Sequence, residues 1–528
     1  MKCINEFLRT VIAQKLGAEV TEAEDKTAFF TLGVTSLISE EIMTILHKEF
    51  TGLSETLLFE YPNIEKLSEF LSAQKRNPES VLEFTETEPD TGSRQEEELL
   101  PVQAAEKVPE PGTGGSSDIA VIGMSGMFPK AENQHDFWDN LMENKDCVSE
   151  IPEDRWDSSY YSEEKTAEYA SYSKWGGFID HPDQFDPLFF SVSPWEADLM
   201  DPQQKLYVTC CWEAMEDAGY GNPAARPTDQ IGVFAGVTWN EYSLIAHEEG
   251  FLKDQYKGPG SLYWGIPNRV SYFLDLHGPS IAVDTACSSS LVAVHQACQA
   301  IMSGDCEMAL AGGVNLSLHP QKYMFLSQSH FLSSEGKCRS FGEGGDGYVP
   351  GEGAGAVLLK PLKKAIADKD HIYGVIKGSA TNHGGKTTGY TVPNPEAHRD
   401  LILSAINRAA VSPADISYIE AHGTGTALGD PIEIRGLSMA FDKQTDEKND
   451  CGIGSVKSNI GHLEAAAGIA GLIKVLLSMK HETLPASLHS EELNRKISFS
   501  DSPFYVVRNN RPWPAEGDKP RIAAISSF

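Results

Sequence analysis

Basic residues are scarce in this chain: 43 lysines and arginines stand against 76 aspartates and glutamates, a formal net charge of -33. That balance argues against nucleic acid, which selects basic stripes, and against anionic membrane surfaces. Long apolar runs are missing too, and no stretch approaches the roughly 20 residues needed to span a bilayer. The opening MKCINEFLRTVIAQKLG is interrupted by charges and lacks an apolar signal core. The nine cysteines are odd in number and show neither paired nor metal-type spacing. Reduced thiols in a cytoplasmic protein are the expectation. No G-x-S-x-G hydrolase elbow and no His–Cys–Cys zinc spacing occurs. GEGAGA at 351–356 runs into strand-like AVLLK, not into a helix, so it fails the context test for a phosphate loop.

What is present divides the 528 residues into three parts. Residues 1–75 alternate helical patterns with short turns and contain no strand signal. Residues 76–117 turn to Glu, Pro, Gly, Ser and Thr, with EEE at 96–98 and PEPGTGGSS at the end. This is the composition of a solvated tether, spanning about 35 Å on average as a random coil. From residue 118 to 528, apolar runs such as IAVIGMSG, QIGVFAGV and MALAGGVNL alternate with longer helical segments, the pattern of an α/β domain.

Chemistry concentrates in that third part. Cys287 lies in IAVDTACSSSLVAVHQACQAIM, which reads as a strand, a tight turn and a helix with a thiol in its first turn. The following helix is small or apolar on almost every face, so it is expected to be buried. A helix N-terminus beneath a thiol lowers its pKa, and an ordinary thiol is only a few per cent ionised at neutral pH. Cys298, Cys210 and Cys211 read instead as buried structural cysteines. His422 in EAHGTGTALGDP and His462 in KSNIGHLEAAAG each follow a β-type run and sit in a glycine turn. Strand ends are where open α/β folds place ligands. Two neutral imidazoles whose Nε–H groups point at one oxygen can stabilise an enolate formed by loss of CO₂. Lys457, five residues before His462, reads either as an electrostatic support of that site or as a solvated surface lysine.

In the first part, Ser36 follows LGVT and opens a helix whose inner stripe is Leu37, Ile38, Ile42, Ile45 and Leu46. On local pattern alone Ser36 is an N-cap. Together with the acidic helix after it and LFEYPNIEKL, the unit resembles an acyl carrier protein over nearly its whole length. The resemblance implies a small all-α four-helix domain with 4′-phosphopantetheine on Ser36, and partner docking through Glu40 and Glu41. It departs from the family in having Thr35 where Asp is usual.

Residues 118–528 resemble the ketosynthase domain of modular type I polyketide synthases, a thiolase-fold family. The phrases that carry this are DIAVIGMSGMFPKAENQHDFWDNL, DPLFFSVSPWEADLMDPQQ, VDTACSSSL, GYVPGEGAGAVLLK, EAHGTGTALGDP and KSNIGHLEAAAG. The resemblance implies a duplicated βαβ fold with layers in the order αβαβα, the first half ending near residue 370. It further implies that Cys287 accepts the acyl chain, and that His422 and His462, supported by Lys457, drive decarboxylation of a malonyl-type extender. Thr424 and Thr426 would contact the phosphopantetheine arm, while Asp430 and Glu433 would hold the loop.

SFGEGGDGYVPGEG and GKTTGYTVPNPEAH are similar to assembly lines whose acyltransferases are separate proteins. Implied partners are acyl and malonyl-type thioesters on carrier proteins, a phosphopantetheinyl transferase, a separate acyltransferase, other synthase modules, and a second copy in a homodimer. Ketosynthases continue past SSF into a glycine-rich GFGGTN-type turn and a final strand, whereas this sequence stops at Phe528. The domain is therefore expected to be C-terminally incomplete, either as a fragment or as a split chain that a partner completes. An alternative to elongation is a ketosynthase that only transfers acyl groups or serves as a docking scaffold.

Overall fold

The computed structural model describes residues 2–16, 20–29, 32, 34, 36–51, 53, 57–74, 118–162, 170–249, 261–387, 392–441, 450–515, 517 and 519–528. The expected tether at 76–117 and the positions of Thr35 and Gly33 lie outside them. The chain forms two compact units, a small N-terminal one and a large one comprising Ser116–His383 and Pro395–Phe528.

The small unit is helical, as its sequence pattern predicts. Helices Lys2–Leu16, Ser36–Glu49, Leu57–Glu60 and Ile64–Ser72 are joined by loops that include a short 3₁₀ turn at Glu22–Glu24. Apolar residues at helical spacing (Ile4, Leu8, Val11 and Ile12; Ile42, Met43 and Leu46; Ile64, Leu67 and Leu71) close into one buried core. Of the expected stripe on the second helix, Ile42 and Leu46 are buried, Ile38 and Ile45 are partly buried, and the Leu37 side chain lies outside the described residues. Asn63 caps the last helix by accepting from the Lys66 N–H, directly after Pro62.

In the large unit, a six-stranded sheet has the order Ser280–Val283, Ile231–Gly236, Met308–Asn315, Gly353–Pro361, Ile119–Met127, Gly374–Ile376. A four-stranded sheet has the order Phe504–Val506, Cys451–Gly454, Tyr418–Glu420, Ala523–Ile525, and is parallel throughout. Central strands of the first sheet are rich in Gly and Ala because both faces are covered. A Cβ at Gly312 would overlap the Gly355 carbonyl oxygen of the neighbouring strand.

Helices Ser289–Ser303 and Ala467–Lys480 pack against each other and against Val121, Phe234, Ala309 and Val357 of the first sheet. The second of these helices also contacts the strands Tyr418–Glu420 and Ala523–Ile525 of the other sheet. Helices Pro202–Asp217 and Gly265–Leu274 cover the far face of the first sheet. Pro395–Ala409 and Gly429–Phe441 cover that of the second. Helix, sheet, helix, sheet, helix is the expected five-layer order.

One expectation needs correcting. The Ser289–Ser303 helix is not enclosed on every side, since Gln299 is exposed and Met302 is 45% exposed. The Ala467–Lys480 helix is the enclosed one, buried at every residue from Ala467 to Ser478. GEGAGA does open a strand, Gly353–Pro361, in agreement with its exclusion as a phosphate loop.

Candidate active site

The Ser280–Val283 strand ends at Asp284, and the chain then turns through Ala286–Ser288 into the Ser289–Ser303 helix. Ala286 has φ +52°, a left-handed conformation that is rare for a residue with a Cβ. The serines after Cys287 tie this elbow down. Ser289 Oγ donates to the Ala286 carbonyl at 2.6 Å and accepts from the Thr285 N–H at 2.9 Å, and Ser288 Oγ donates to the Thr285 carbonyl at 2.9 Å. A strained turn over-determined by such bonds aims one side chain, here the Cys287 thiol.

His462 arrives from the other half of the fold. After the strand Cys451–Gly454 the chain makes a single helical turn, Lys457–Ile460, and reverses at Gly461 with φ +78°. His462 Nε2 lies 3.1 Å from Cys287 Sγ. Its Nδ1 accepts the Glu464 backbone N–H at 3.0 Å, so the ring proton resides on Nε2 and points at the sulfur. His422 follows the strand Tyr418–Glu420, with its ring edge-on to His462 at 5.2 Å between centroids. One ligand atom each of Cys287, His422 and His462 lie within 4.8 Å of one another. The Nδ1 of His422 is buried without a hydrogen-bond partner, and its ring packs on Phe528 at 4.4 Å.

Carboxylates hold the histidine loops. Glu433 accepts the N–H groups of His422 and Gly423 at 2.7 and 2.8 Å, and Asp430 accepts those of Gly425 and Phe341 at 3.1 and 2.7 Å. Glu420, 2% exposed, accepts the Val456 N–H on one oxygen and Lys474 Nζ and Tyr418 Oη on the other, each at 2.7 Å. Thr424 and Thr426 face each other with hydroxyls 3.2 Å apart, and Thr426 Oγ1 accepts the Gly429 N–H.

Burial sets the charges. Both imidazoles are pushed well below the ordinary histidine range by desolvation, with Lys457 adding to the effect, so they are neutral. Lys457 is 4% exposed and not the solvated alternative; burial lowers its pKa, while Glu420 and Glu433 oppose that shift. Asp430 is pushed up to about 6 and Glu433 to about 7, in both cases chiefly by burial.

The thiol differs from the sequence expectation. Desolvation pushes Cys287 up to about 12, with the Glu464 charge adding to this while Lys457 and the Cys287 N–H oppose it. The turn beneath it is a single 3₁₀ turn, and the residue is part-buried.

Ser36 is the first residue of Ser36–Glu49, and its side chain, like that of Glu40, lies outside the described residues. A helix N-terminus suits a phosphodiester anion. Glu41 is ion-paired with Lys15 at 2.7 Å. Of GKTTGYTVPNPEAH, residues 388–391 lie outside the described residues. Sequence reasoning missed Lys322 and Glu464, which form an ion pair at 2.6 Å beside the site. The one signal was the glutamate two residues after His462.

A small helical unit and a five-layered α/β unit with a Cys–His–His cluster where its halves meet define a carrier module joined to a thiolase-fold condensing enzyme. Comparison with known proteins agrees. Residues 116–365 match the beta-ketoacyl synthase N-terminal domain, 373–491 the C-terminal domain, and 6–71 the phosphopantetheine attachment site. The chain belongs to the beta-ketoacyl synthase family of modular polyketide synthases.

It is 47% identical over 99% of its length to polyketide synthase PksL of Bacillus subtilis. Over 78% of its length it is 53% identical to polyketide synthase ThaG of Burkholderia thailandensis. It spans 12% and 7% of the length of those relatives. Among solved structures, the oxazolomycin ketosynthase domain OzmH KS7 of Streptomyces albus JA3453 aligns with TM-score 0.74 and 49% identity, over 78% of this chain and 72% of that one. The ketosynthase from module 6 of the bacillaene synthase of Bacillus subtilis 168 aligns with TM-score 0.72 and 44% identity, over 78% and 70%. The attachment-site match indicates covalently bound 4′-phosphopantetheine on a carrier serine. Among the described residues no helix is long and apolar enough to cross a membrane.

Proposed function

We propose that this chain elongates a polyketide by decarboxylative Claisen condensation. The observation that carries the reading is the placement of Cys287 Sγ 3.1 Å from a neutral His462, with His422 edge-on beside it. Cys287 takes the acyl group from a carrier thioester. His422 and His462 then hold the enolate oxygen formed when a malonyl-type thioester loses CO₂, because their neutral rings offer N–H donors without a counter-charge. Lys457 adds positive potential from a buried position, and Thr424 and Thr426 line the approach of the pantetheine arm.

The carrier is assigned to 1–75 with Ser36 as attachment point, the tether to 76–117 and the ketosynthase to 118–528. Phosphopantetheine supplies a long arm ending in a thiol that bears the acyl group. Partners on this reading are carrier-bound thioesters, a phosphopantetheinyl transferase, a separate acyltransferase and further synthase modules, all in the cytoplasm. A two-fold dimer is part of the proposal. The edge strand Ser280–Val283 exposes Ile281 by 42%, and the flanking helices expose Tyr272 and Met302.

The test separates the half-reactions. Cys287→Ala is expected to abolish acylation by a thioester substrate. His422→Ala and His462→Ala are expected to keep acylation and lose decarboxylation by roughly 10²–10³. Acylation of the Cys287→Ala protein at the wild-type rate would end the assignment.

A further inference from the structure

His462 works as a donor only while its proton sits on Nε2, and the Glu464 backbone N–H is what holds it there. The direction of that N–H is set by the Leu463–Glu464 peptide plane, and a flip of this plane would turn the N–H away from the ring while relieving the φ of +46° at Glu464. Outside glycine, the left-handed conformation is disfavoured by a population factor of about 5 to 30. Some contact of the Glu464 side chain has to offset this.

The carboxylate is 6% exposed and meets Lys322 Nζ, fully buried, at 2.6 Å. That separation is a close contact between opposite charges. The other oxygen accepts from Tyr348 Oη at 3.4 Å, and the Tyr348 ring stands edge-on to His462 at 4.9 Å. Lys322 is itself fixed by donating to Asn315 Oδ1 and the Leu316 carbonyl. A buried ion pair with one member removed leaves an uncompensated charge, so each partner enforces the position of the other.

We propose that Lys322 and Glu464 are a positioning pair that clamps the Glu464 backbone in its left-handed conformation and thereby locks His462 as the Nε2–H tautomer. As a positioning pair it acts through the imidazole, whose Nδ1 the Glu464 N–H faces. This inference rests on the elongation reading for the importance of the tautomer, but the clamp itself stands on geometry alone.

Glycine separates the two ways in which Glu464 could matter, because it adopts positive φ freely and carries no carboxylate. In the synthase chain bearing this segment, Glu464→Ala is expected to decarboxylate a malonyl-type thioester about 5- to 30-fold more slowly than Glu464→Gly. The loss falls on kcat, with KM unchanged. Lys322→Met strands the carboxylate and is expected to fall at least as far as Glu464→Ala. The double variant Lys322→Met/Glu464→Gly is expected to return to the level of Glu464→Gly.

Nitrogen-15 spectra of histidine-labelled protein, with His462 assigned by its loss in His462→Gln, read the tautomer without turnover. Wild type and Glu464→Gly are expected to show a protonated Nε2 and a bare Nδ1, and Glu464→Ala a mixture. Equal losses in Ala and Gly, or an unshifted tautomer in Ala, would overturn the clamp. A wild-type protein with the Nε2–H tautomer but no decarboxylation would overturn the elongation reading and leave the clamp standing.

Discussion

At the scale of single residues, the candidate active-site side chains differ in how far they can be read from sequence. Cys287, His422 and His462 announce themselves, because each lies in a glycine or serine turn after an apolar run, where a packed fold has no use for a polar group. The resting charge of the thiol does not, since it depends on how much water the folded chamber excludes. The helix N-terminus argues for a lowered pKa, whereas enclosure pushes the group up to about 12.

The consequence can be measured. A thiol whose folded pKa is raised is protonated at neutral pH, and its reactive thiolate fraction grows about tenfold per pH unit until the pKa is approached. Iodoacetamide labelling of Cys287, followed by mass spectrometry, is expected to accelerate steadily from pH 7 to about 10 without levelling off. Lys457→Met, which removes a cation that lowers the pKa, should be labelled more slowly at every pH. A plateau below about pH 9 would show that the turn dipole prevails over desolvation.

At the scale of elements, amphipathic periodicity served the carrier helices well, because a small unit has one core and each helix one inner face. It served the central helices of the large unit less well. Ser289–Ser303 is apolar in composition yet leaves Met302 in solvent, while Ala467–Lys480, which contains a lysine, is enclosed. Lys474 lies within that enclosed helix because Glu420 and Tyr418 come to it from another strand, a partnership no local pattern displays.

The helix beginning at Ser36 carries its own prediction. Coexpression with a phosphopantetheinyl transferase is expected to add the mass of one phosphopantetheine, and Ser36→Ala to abolish it, in an intact-mass spectrum. Thr35→Asp, which restores the usual acidic residue before the serine, should load at least as fast. Loading of Ser36→Ala would refute the attachment point.

At the scale of the whole molecule, the α/β class of the large unit was readable from alternating strand and helix patterns, whereas the five layers came with the resemblance to ketosynthases. Strand order was not readable, because it depends on crossovers between distant segments. The proposed two-fold assembly draws on an edge. Ser280–Val283 borders the six-stranded sheet and exposes Ile281, and the two helices that contact this strand expose Tyr272 and Met302. A charge on this edge strand, Ile281→Asp, is expected to convert a dimer into a monomer in light scattering coupled to size exclusion. An unchanged mass would place the dimer contact elsewhere or remove it.

Glu420 joins three parts of the molecule that the chain keeps far apart. It lies two residues before His422, one oxygen grips the turn that leads to Lys457 and His462, and the other is fastened to the enclosed helix through Lys474. Such a carboxylate behaves as the pivot of a caliper. Both histidine-bearing segments are thus tied to one carboxylate, and displacement of either is opposed through the other.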